Sequence, residues 1–421
     1  MKSYKHRLEL NNKQFTLAKK HAGTARHAYN WGLDLCLQRI DADEKLPSAI
    51  DLHKLLVKDV KSVNQWYYEV SKCAPQEALR NLHKGWGNFF RKIKSGELEK
   101  CKNSYIKNRK SRGLKVDNKK LFNLCKPKFK CKGVKESFYL EGKILVNGNK
   151  IKLPRFGWVA MSESYDVGFE VKNVTISRHA NHFFVSFKTE APTTSIKDIE
   201  KQSAIGVDVG IKTLATLSDG RVFENPRAFN RYKRKLRIAQ RIVSKRFNKN
   251  IKKQSKNYEK AKKRVAKLHY KISCIRKDNI HKLTTYLAKN HSIIGIEDLN
   301  IKGMLKNRRL SNAIQDGGFY EFRRQLEYKC DWYGSKLVVI DRFYPSSKTC
   351  SCCGHKKEKL SLSTRTYECD NCGLVIDRDL NGAINIEDLA VSYTVSACGE
   401  LHPPNINGLE TLRSRNKTVK R

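Results

Sequence analysis

The chain has 421 residues, 39% of them hydrophobic and 9% aromatic. That is enough to bury several cores, and it excludes both a single small domain and a wholly disordered chain. Its 86 Lys and Arg against 41 Asp and Glu leave a net charge of +45, which excludes an acidic partner-free surface and calls for a polyanion.

A nucleic acid meets that need best, because each neutralised phosphate releases counterions. Nonspecific adhesion to anions is the bland alternative. An anionic membrane fits less well, since the basic residues run through every segment and do not collect on one amphipathic helix. The start "MKSYKHRLEL" has no apolar signal core, and no run approaches the ~18 apolar residues of a membrane span. The expectation is a soluble, cytoplasmic protein.

In chain order, "SYKHRLEL" (Ser3 to Leu10) predicts one short strand. From Phe15 to Gly96 the apolar spacing is helical, with Leu17, Ala25, Ala28, Trp31 and Leu35 on one face. "PQEALRNLHKGWGNFFRKIKSG" opens with Pro75 in a first helical turn and closes at Gly96. "KNSYIKNRKSRGLKVDNKK" is basic and poor in apolar residues, which predicts a loop or a surface segment on nucleic acid. From Lys130 to Glu190 the pattern predicts short strands, with turn signals at Glu141–Gly142, Asn147–Gly148 and Ala180–Asn181. A small barrel or sandwich follows from that.

A new domain opens near Ser203. "AIGVDVGIKTLATLSDGRVFEN" predicts three strands with a hairpin at Asp219–Gly220. Arg227 to Asn290 reads as helix, with a stripe of Val265, Leu268, Ile272, Ile275, Leu283 and Leu287. "HSIIGIEDLN" predicts a buried strand, "GGFYEFRRQLEYKCDWYGS" a helix and "KLVVID" a strand. After Thr394 periodicity fades and a disordered tail is expected.

The 13 cysteines include five between Cys350 and Cys372. Cys350 and Cys353 form one C-x-x-C and Cys369 and Cys372 another, fifteen residues apart. This is the spacing of a structural four-thiolate Zn²⁺ site, with Gly354 and Gly373 supplying a permissive backbone after each pair. Disulfides are the alternative, and an odd count with one cluster fits them poorly. Cys352 stays outside the set.

Three strand ends carry acids: Asp208 in "IGVDVGIKT", Glu297 in "IIGIEDLN" and Asp379 in "VIDRDLNGAIN". A buried carboxylate is costly unless a cation compensates it. Oxygen ligands suit Mg²⁺, and two such ions can activate water and stabilise the leaving oxygen of a phosphodiester. Each acid alone reads equally as a turn or cap residue.

The blocks "GVDVGIKTLATLSDG", "IHKLTTYLAKNHSIIGIEDLNIKGM", "FRRQLEYKCDWYGSKLVVIDRFYPSSKTCSCCG" and "YECDNCGLVIDRDLNGAINI" together resemble the TnpB family, transposon-encoded RNA-guided DNA endonucleases related to compact type V CRISPR nucleases. "AYNWGLDL" and "ALRNLHKGWGNFFRKIK" resemble that family more loosely, and its usual Pro-Arg-Phe-Lys motif is absent. The resemblance implies a multidomain α+β chain. Its parts would be a wedge strand at 1–10, a helical recognition domain at 11–125, a wedge β-barrel at 126–200 and a RuvC-like nuclease of RNase H fold at 201–346. A zinc ribbon at 347–373 would be inserted before the last nuclease motif at 374–395, with the tail at 396–421. It further implies Asp208, Glu297 and Asp379 as catalytic Mg²⁺ ligands. Asp379 is chosen over Asp377 because it directly precedes Leu380–Asn381, with Gly382 where Ala is usual. The implied partners are a guide RNA from the mobile element and double-stranded target DNA beside a short flanking motif. The implied setting is a monomer with RNA in a prokaryotic host.

A nuclease-inactive RNA-guided repressor, a CRISPR-associated effector and a transposase acting on DNA ends are the competing readings. Trp31, Trp86, Phe89 and Phe90 are expected to pack in helix cores and not to stack on bases. His281 and His291 have no metal-ligand spacing.

Overall fold

The computed structural model describes residues 2–133, 136–189, 202–251, 254–307, 309–361 and 363–397. The expected domain boundary at 200 and all but the first two residues of the expected tail lie outside these. The chain divides into two compact units, Met1–Pro192 and Thr193–Arg421.

In the first unit, strand β1 (Lys2–Glu9) leads into helix α1 (Asn12–Asp41). Asn11 caps α1 by accepting from the Gln14 N–H, and the Gln14 side chain accepts from the Asn11 N–H in return. The Gln14 amide also donates to the carbonyls of Phe156 and Trp158, tying the helix start to a β-turn. Helices α2 (Ala49–Leu55) and α3 (Cys73–Lys94) follow. Gly32 on α1 allows close approach to α3, because a Cβ there would lie 2.7 Å from the Leu79 side chain.

Helix α4 (Glu97–Lys110) takes the first nine of the nineteen residues of the basic segment, which lies at the surface as expected but is helical there and not a loop. Polar side chains do not prevent a helix when its ends suit the dipole. Glu97 and Glu99 stand in the first turn and Lys107, Arg109 and Lys110 in the last, and no residue of α4 is buried. A short helix α5 (Asn118–Phe122) precedes three strands, β2 (Ser137–Leu153), β3 (Gly157–His179) and β4 (His182–Thr189).

The sheet order is β1-β4-β3-β2, and β1 also pairs with β3, so the sheet curls back on itself. The turn at Ala180 falls where the sequence predicts it, with Ala180 at φ 54°. The signals at Glu141–Gly142 and Asn147–Gly148 are not turns. Both lie inside β2 at register shifts, where bulges bend the strand. Helices and sheet share one continuous core, in which Trp86 and Phe89 are buried while Phe90 is 42% exposed.

The second unit is built on a five-stranded sheet of order β7-β6-β5-β8-β9. Its strands are β5 (Gln202–Asp208), β6 (Thr213–Leu217), β7 (Val222–Glu224), β8 (His291–Glu297) and β9 (Lys336–Ile340). β5, β8 and β9 run parallel. Helices α6 (Ala228–Arg246) and α7 (Lys256–Asn290) form a long hairpin. The predicted apolar stripe of α7 serves two cores. Val265, Leu268, Ile272 and Ile275 pack towards α6, and Leu283 and Leu287 pack under the sheet.

After β8 come α8 (Ile301–Met304), α9 (Ser311–Gly317) and α10 (Phe319–Tyr333). A small hairpin of β10 (Thr366–Glu368) and β11 (Val375–Asp377) leads into α11 (Arg378–Ala397). α7 and α10 cover one face of the sheet and α11 the other. Among the described residues no helix is long and apolar enough to cross a membrane.

Candidate active site

Two parallel strands carry the same short pattern. β5 ends Ile-Gly-Val-Asp and β8 ends Ile-Gly-Ile-Glu, and their register pairs Gly206 with Gly295 and Val207 with Ile296. Side chains alternate across a strand. Ile205, Val207, Ile294 and Ile296 therefore enter the core beneath α7 and α10. Gly206 and Asp208 share the opposite face, as do Gly295 and Glu297.

That opposite face receives α11. A Cβ at Gly206 would lie 1.9 Å from the Ala383 carbonyl oxygen and 2.6 Å from the Glu387 nitrogen. One at Gly295 would lie 2.8 Å from the Ala390 Cβ and 2.9 Å from the Ile386 oxygen. The two glycines thus let the helix backbone rest directly on the strands. The start of α11 is thereby brought to the carboxyl ends of β5 and β8, where Asp208 and Glu297 stand.

Asp379 lies in the first turn of α11, not at a strand end as its sequence context suggested. β11 stops at Asp377, whose side chain accepts from the N–H groups of Asp379 and Leu380. Asp377 is therefore the helix cap, and its carboxylate also raises Asp208, less than that of Asp379 does. Asp379, two residues on, faces Asp208. Burial, and then the facing carboxylates of Glu297 and Asp379, push the Asp208 carboxyl up to about 8, with Arg378 pulling the other way. A hard divalent cation would relieve that repulsion, but among the described residues only the four cysteines place their ligand atoms close enough to share one ion. Gly382, one turn into α11, places its hydrogen where a Cβ would sit 3.7 Å from Asp208 Oδ2, so an Ala fits there too.

The four cysteines converge. Their Sγ atoms all lie within 4.8 Å of one another, with Cys350–Cys372 and Cys353–Cys369 at 3.6 Å. Four thiolates about 2.3 Å from one ion are separated by roughly 3.8 Å, so the set fits tetrahedral Zn²⁺. Gly354 (φ 74°) and Gly373 (φ 66°) take the left-handed conformation after each pair. Against burial, the Asn371 amide and the His355 N–H lower the Cys353 thiol, whereas burial raises Cys350, and the three facing sulfurs raise Cys372 against the Leu374 N–H. Tyr367, fully buried, packs among Cys350 and Cys369 and donates to the carbonyl of Lys348. Cys352 is exposed and outside the set.

A hydrogen-bonded path joins the two clusters. Asn381 on α11 accepts from the Ser351 N–H and donates to the Thr349 carbonyl, on either side of Cys350. Asn385, one turn later, donates to the carbonyls of Thr349 and Ser346. Ser346 is buried and its hydroxyl donates to the Glu297 carboxylate. The first cysteine knuckle is thereby fastened to α11 and, through Ser346, to Glu297.

Sequence reasoning missed Ser346, Asn381 and Asn385, and it missed the two glycines. The repeated Ile-Gly-x-acid pattern was the available signal for the glycines. Nothing in the sequence pointed to the hydrogen-bonded path. His291 is buried at the start of β8 and His281 lies on the surface of α7, and neither belongs to a ligand cluster among the described residues.

Three family models match the chain. They are described as "Helix-turn-helix domain" over residues 1–45, "Probable transposase" over 184–308 and "Cas12f1-like, TNB domain" over 319–386. The first span here is a strand and one uninterrupted helix. The last contains the cysteine cluster and the start of α11. The chain is 34% identical to a "Putative RNA-guided DNA endonuclease" of Streptomyces pristinaespiralis, over 98% of this chain and 94% of that protein. It is 31% identical to a "Putative RNA-guided DNA endonuclease InsQ" of Escherichia coli K12, over 95% and 94%. A "CRISPR-associated endodeoxyribonuclease Cas12f1" of Sulfoacidibacillus thermotolerans shares 26% identity over 30% of each chain. With near-complete coverage of both chains at this identity, and with the site described above, the protein belongs to the TnpB/IS605 family.

Proposed function

We propose that this protein is an RNA-guided DNA endonuclease of a transposable element, cutting target DNA at Asp208, Glu297 and Asp379. The observation that carries the reading is the buried Asp208 carboxyl held against Glu297 and Asp379 in a chain of net charge +45. A cluster of acids in so basic a protein is repelled by the DNA it must meet unless a cation mediates.

The three carboxylates would hold Mg²⁺, which when bound supplies charge neutralisation at the phosphodiester and an activated water. Asp208, anchored on the sheet, sets the floor of the site. Glu297 is oriented by the Ser346 hydroxyl. Asp379 joins them from the end of α11, and Asp377 holds that helix end in place. The cysteine cluster would hold one structural Zn²⁺. Selection of the target falls to base pairing with a guide RNA, the protein reading only a short duplex motif beside it. The sheet with α7, α10 and α11 is read as a RuvC-like nuclease, the cysteine segment as a zinc ribbon within it, and the first unit as wedge and recognition domains.

The test is to express the gene with its native flanking DNA, purify the protein at high salt and sequence the RNA that co-purifies. One defined RNA, with a constant folded part and an end drawn from flanking DNA, is expected. Asp208→Ala, Glu297→Ala and Asp379→Ala should each lower cutting of a guide-matched target more than about 1,000-fold while retaining that RNA. Asp377→Ala should keep most activity, at a cost of about 1 kcal/mol for the lost cap. Cutting that survives in Asp379→Ala and fails in Asp377→Ala reverses the assignment. The absence of any enriched RNA favours a transposase acting on DNA ends, the activity in the description matched over 184–308.

A further inference from the structure

Beside Glu297, which lines it, the second unit opens into a cavity of about 440 Å³ whose lining includes neither Asp208 nor Asp379. Its wall runs from Val209 and Glu297 to the start of α10. Ile296, Leu299, Phe319 and Phe322 make it apolar within, and Phe319 and Phe322 are themselves buried. Tyr320 lines it and yet is 69% exposed, in a position where a tyrosine ring gains nothing from the protein's own core.

The mouth is cationic. Arg323 and Arg342 both reach it, and both bind the single carboxylate of Asp298, which fixes the two guanidinium planes. Arg323 also meets Glu327 and Arg342 is paired with Asp298, so Lys302 carries the uncommitted charge. Arg342 keeps a second tether, its Nε donating to the Asp298 carbonyl 3.1 Å away. Arg324 is engaged by Glu321 and adds no free charge.

An apolar pocket with an exposed aromatic ring and fixed guanidiniums at its mouth has the chemistry of a nucleotide, a flat ring joined to a phosphate. Its place beside Glu297 says which nucleotide. We propose that the cavity receives one unstacked base of the DNA strand being cut, the base neighbouring the scissile phosphate. Its face lies against Tyr320, and the adjoining phosphate lies at Lys302. A base can enter only when it is out of a duplex stack, so the subsite selects single-stranded DNA at the point of cutting. This inference rests on the nuclease reading above for the position of the scissile phosphate.

The experiment uses the RNA-loaded full chain and a guide-matched target, with a single abasic nucleotide moved one position at a time across the cut site. Wild type should lose about 5- to 100-fold in cleavage rate at one position next to the cut and little elsewhere. Tyr320→Ala should cut the intact target slowly by a similar factor and be indifferent to the abasic position. Tyr320→Phe should behave as wild type, because stacking does not need the hydroxyl. In parallel, 2-aminopurine placed at that position reports binding without cutting, and its fluorescence should be quenched by wild type and not by Tyr320→Ala. An abasic scan that is flat in wild type, or equal sensitivity in Tyr320→Ala, overturns the proposal. Quenching without cleavage of any matched target supports the subsite and removes the nuclease reading. Cleavage with a flat scan and no quenching keeps the nuclease reading and removes the subsite.

Discussion

The cysteine cluster and the carboxylate cluster stand in one unit and are assembled in opposite ways. The four thiols come from two tight turns in a single short stretch, Cys350 to Cys372, and each turn needs only a left-handed glycine after it. The three acids come from Asp208, Glu297 and Asp379, brought together by two parallel strands and a helix laid across them. The thiols gather closely, and soft ligands on local turns make a closed site that braces the chain. The acids oppose one another, and their proximity depends on packing that holds like charges together. A site can be close in sequence and rigid by local geometry, or distant in sequence and rigid because the fold leaves it no alternative.

The packing that makes the difference is at Gly206, and its loss should have the largest effect. Gly206→Ala sets a methyl group against the α11 backbone, where no side chain can yield. We expect a loss of roughly 3 kcal/mol or more in denaturant unfolding of the second unit, together with loss of cleavage. The cysteine cluster in the same variant should still bind a metal, read by the absorption of the cobalt-substituted protein. Gly382→Ala, with ordinary contact to Asp208, should stay near wild type. Equal damage from the two substitutions would remove the contrast between the sites.

The next effect is electrostatic. In the ion-free chain Asp208 has a folded-state value of about 8 against an ordinary 3.8. Between those values the folded chain keeps a proton that the unfolded chain has released. Stability from this group therefore falls as pH rises from about 4 to about 8, and levels off above. Asp208→Asn removes the dependence. In chelator it should be the more stable protein near pH 8, by up to roughly 3 kcal/mol, and the advantage should vanish near pH 4. A constant difference across that range would mean that Asp208 is not held against its neighbours.

The smallest effect crosses from one site to the other. Cys369→Ser opens the cysteine cluster, and the segment held by Asn381 and Asn385 then positions Ser346 less firmly on Glu297. Cleavage should fall about 10- to 100-fold while guide RNA stays bound. Full cleavage by a zinc-free Cys369→Ser protein would show the two clusters to be independent.

Several features were legible because they are local. The C-x-x-C pairs, the Asp219–Gly220 hairpin, the apolar runs of β5 and β8, and the acids at their ends depend on residues a few positions apart. Where local signals misled, tertiary packing had overridden them. Glu141–Gly142 and Asn147–Gly148 carry turn chemistry, yet β2 runs through both because its partner β3 is long enough to pair on either side of each bulge. The segment 102–110 has little to bury and still forms α4, since the charges at its ends complement the dipole. The α7 stripe looked like one face and divides between two cores, a division that falls where α6 begins.

By itself the sequence determined the ligand types, their spacing within each short motif, the basic surface and the family. Hydrophobic periodicity and turn chemistry act over a few residues and are written there directly. Only the tertiary structure decided that Asp379 faces Asp208, that Gly206 and Gly295 form the seat of α11, and that Asn381, Asn385 and Ser346 carry the cysteine brace to Glu297. Those relations join residues dozens to hundreds of positions apart. Strand register and helix-on-sheet packing bring them together, and no local pattern encodes either.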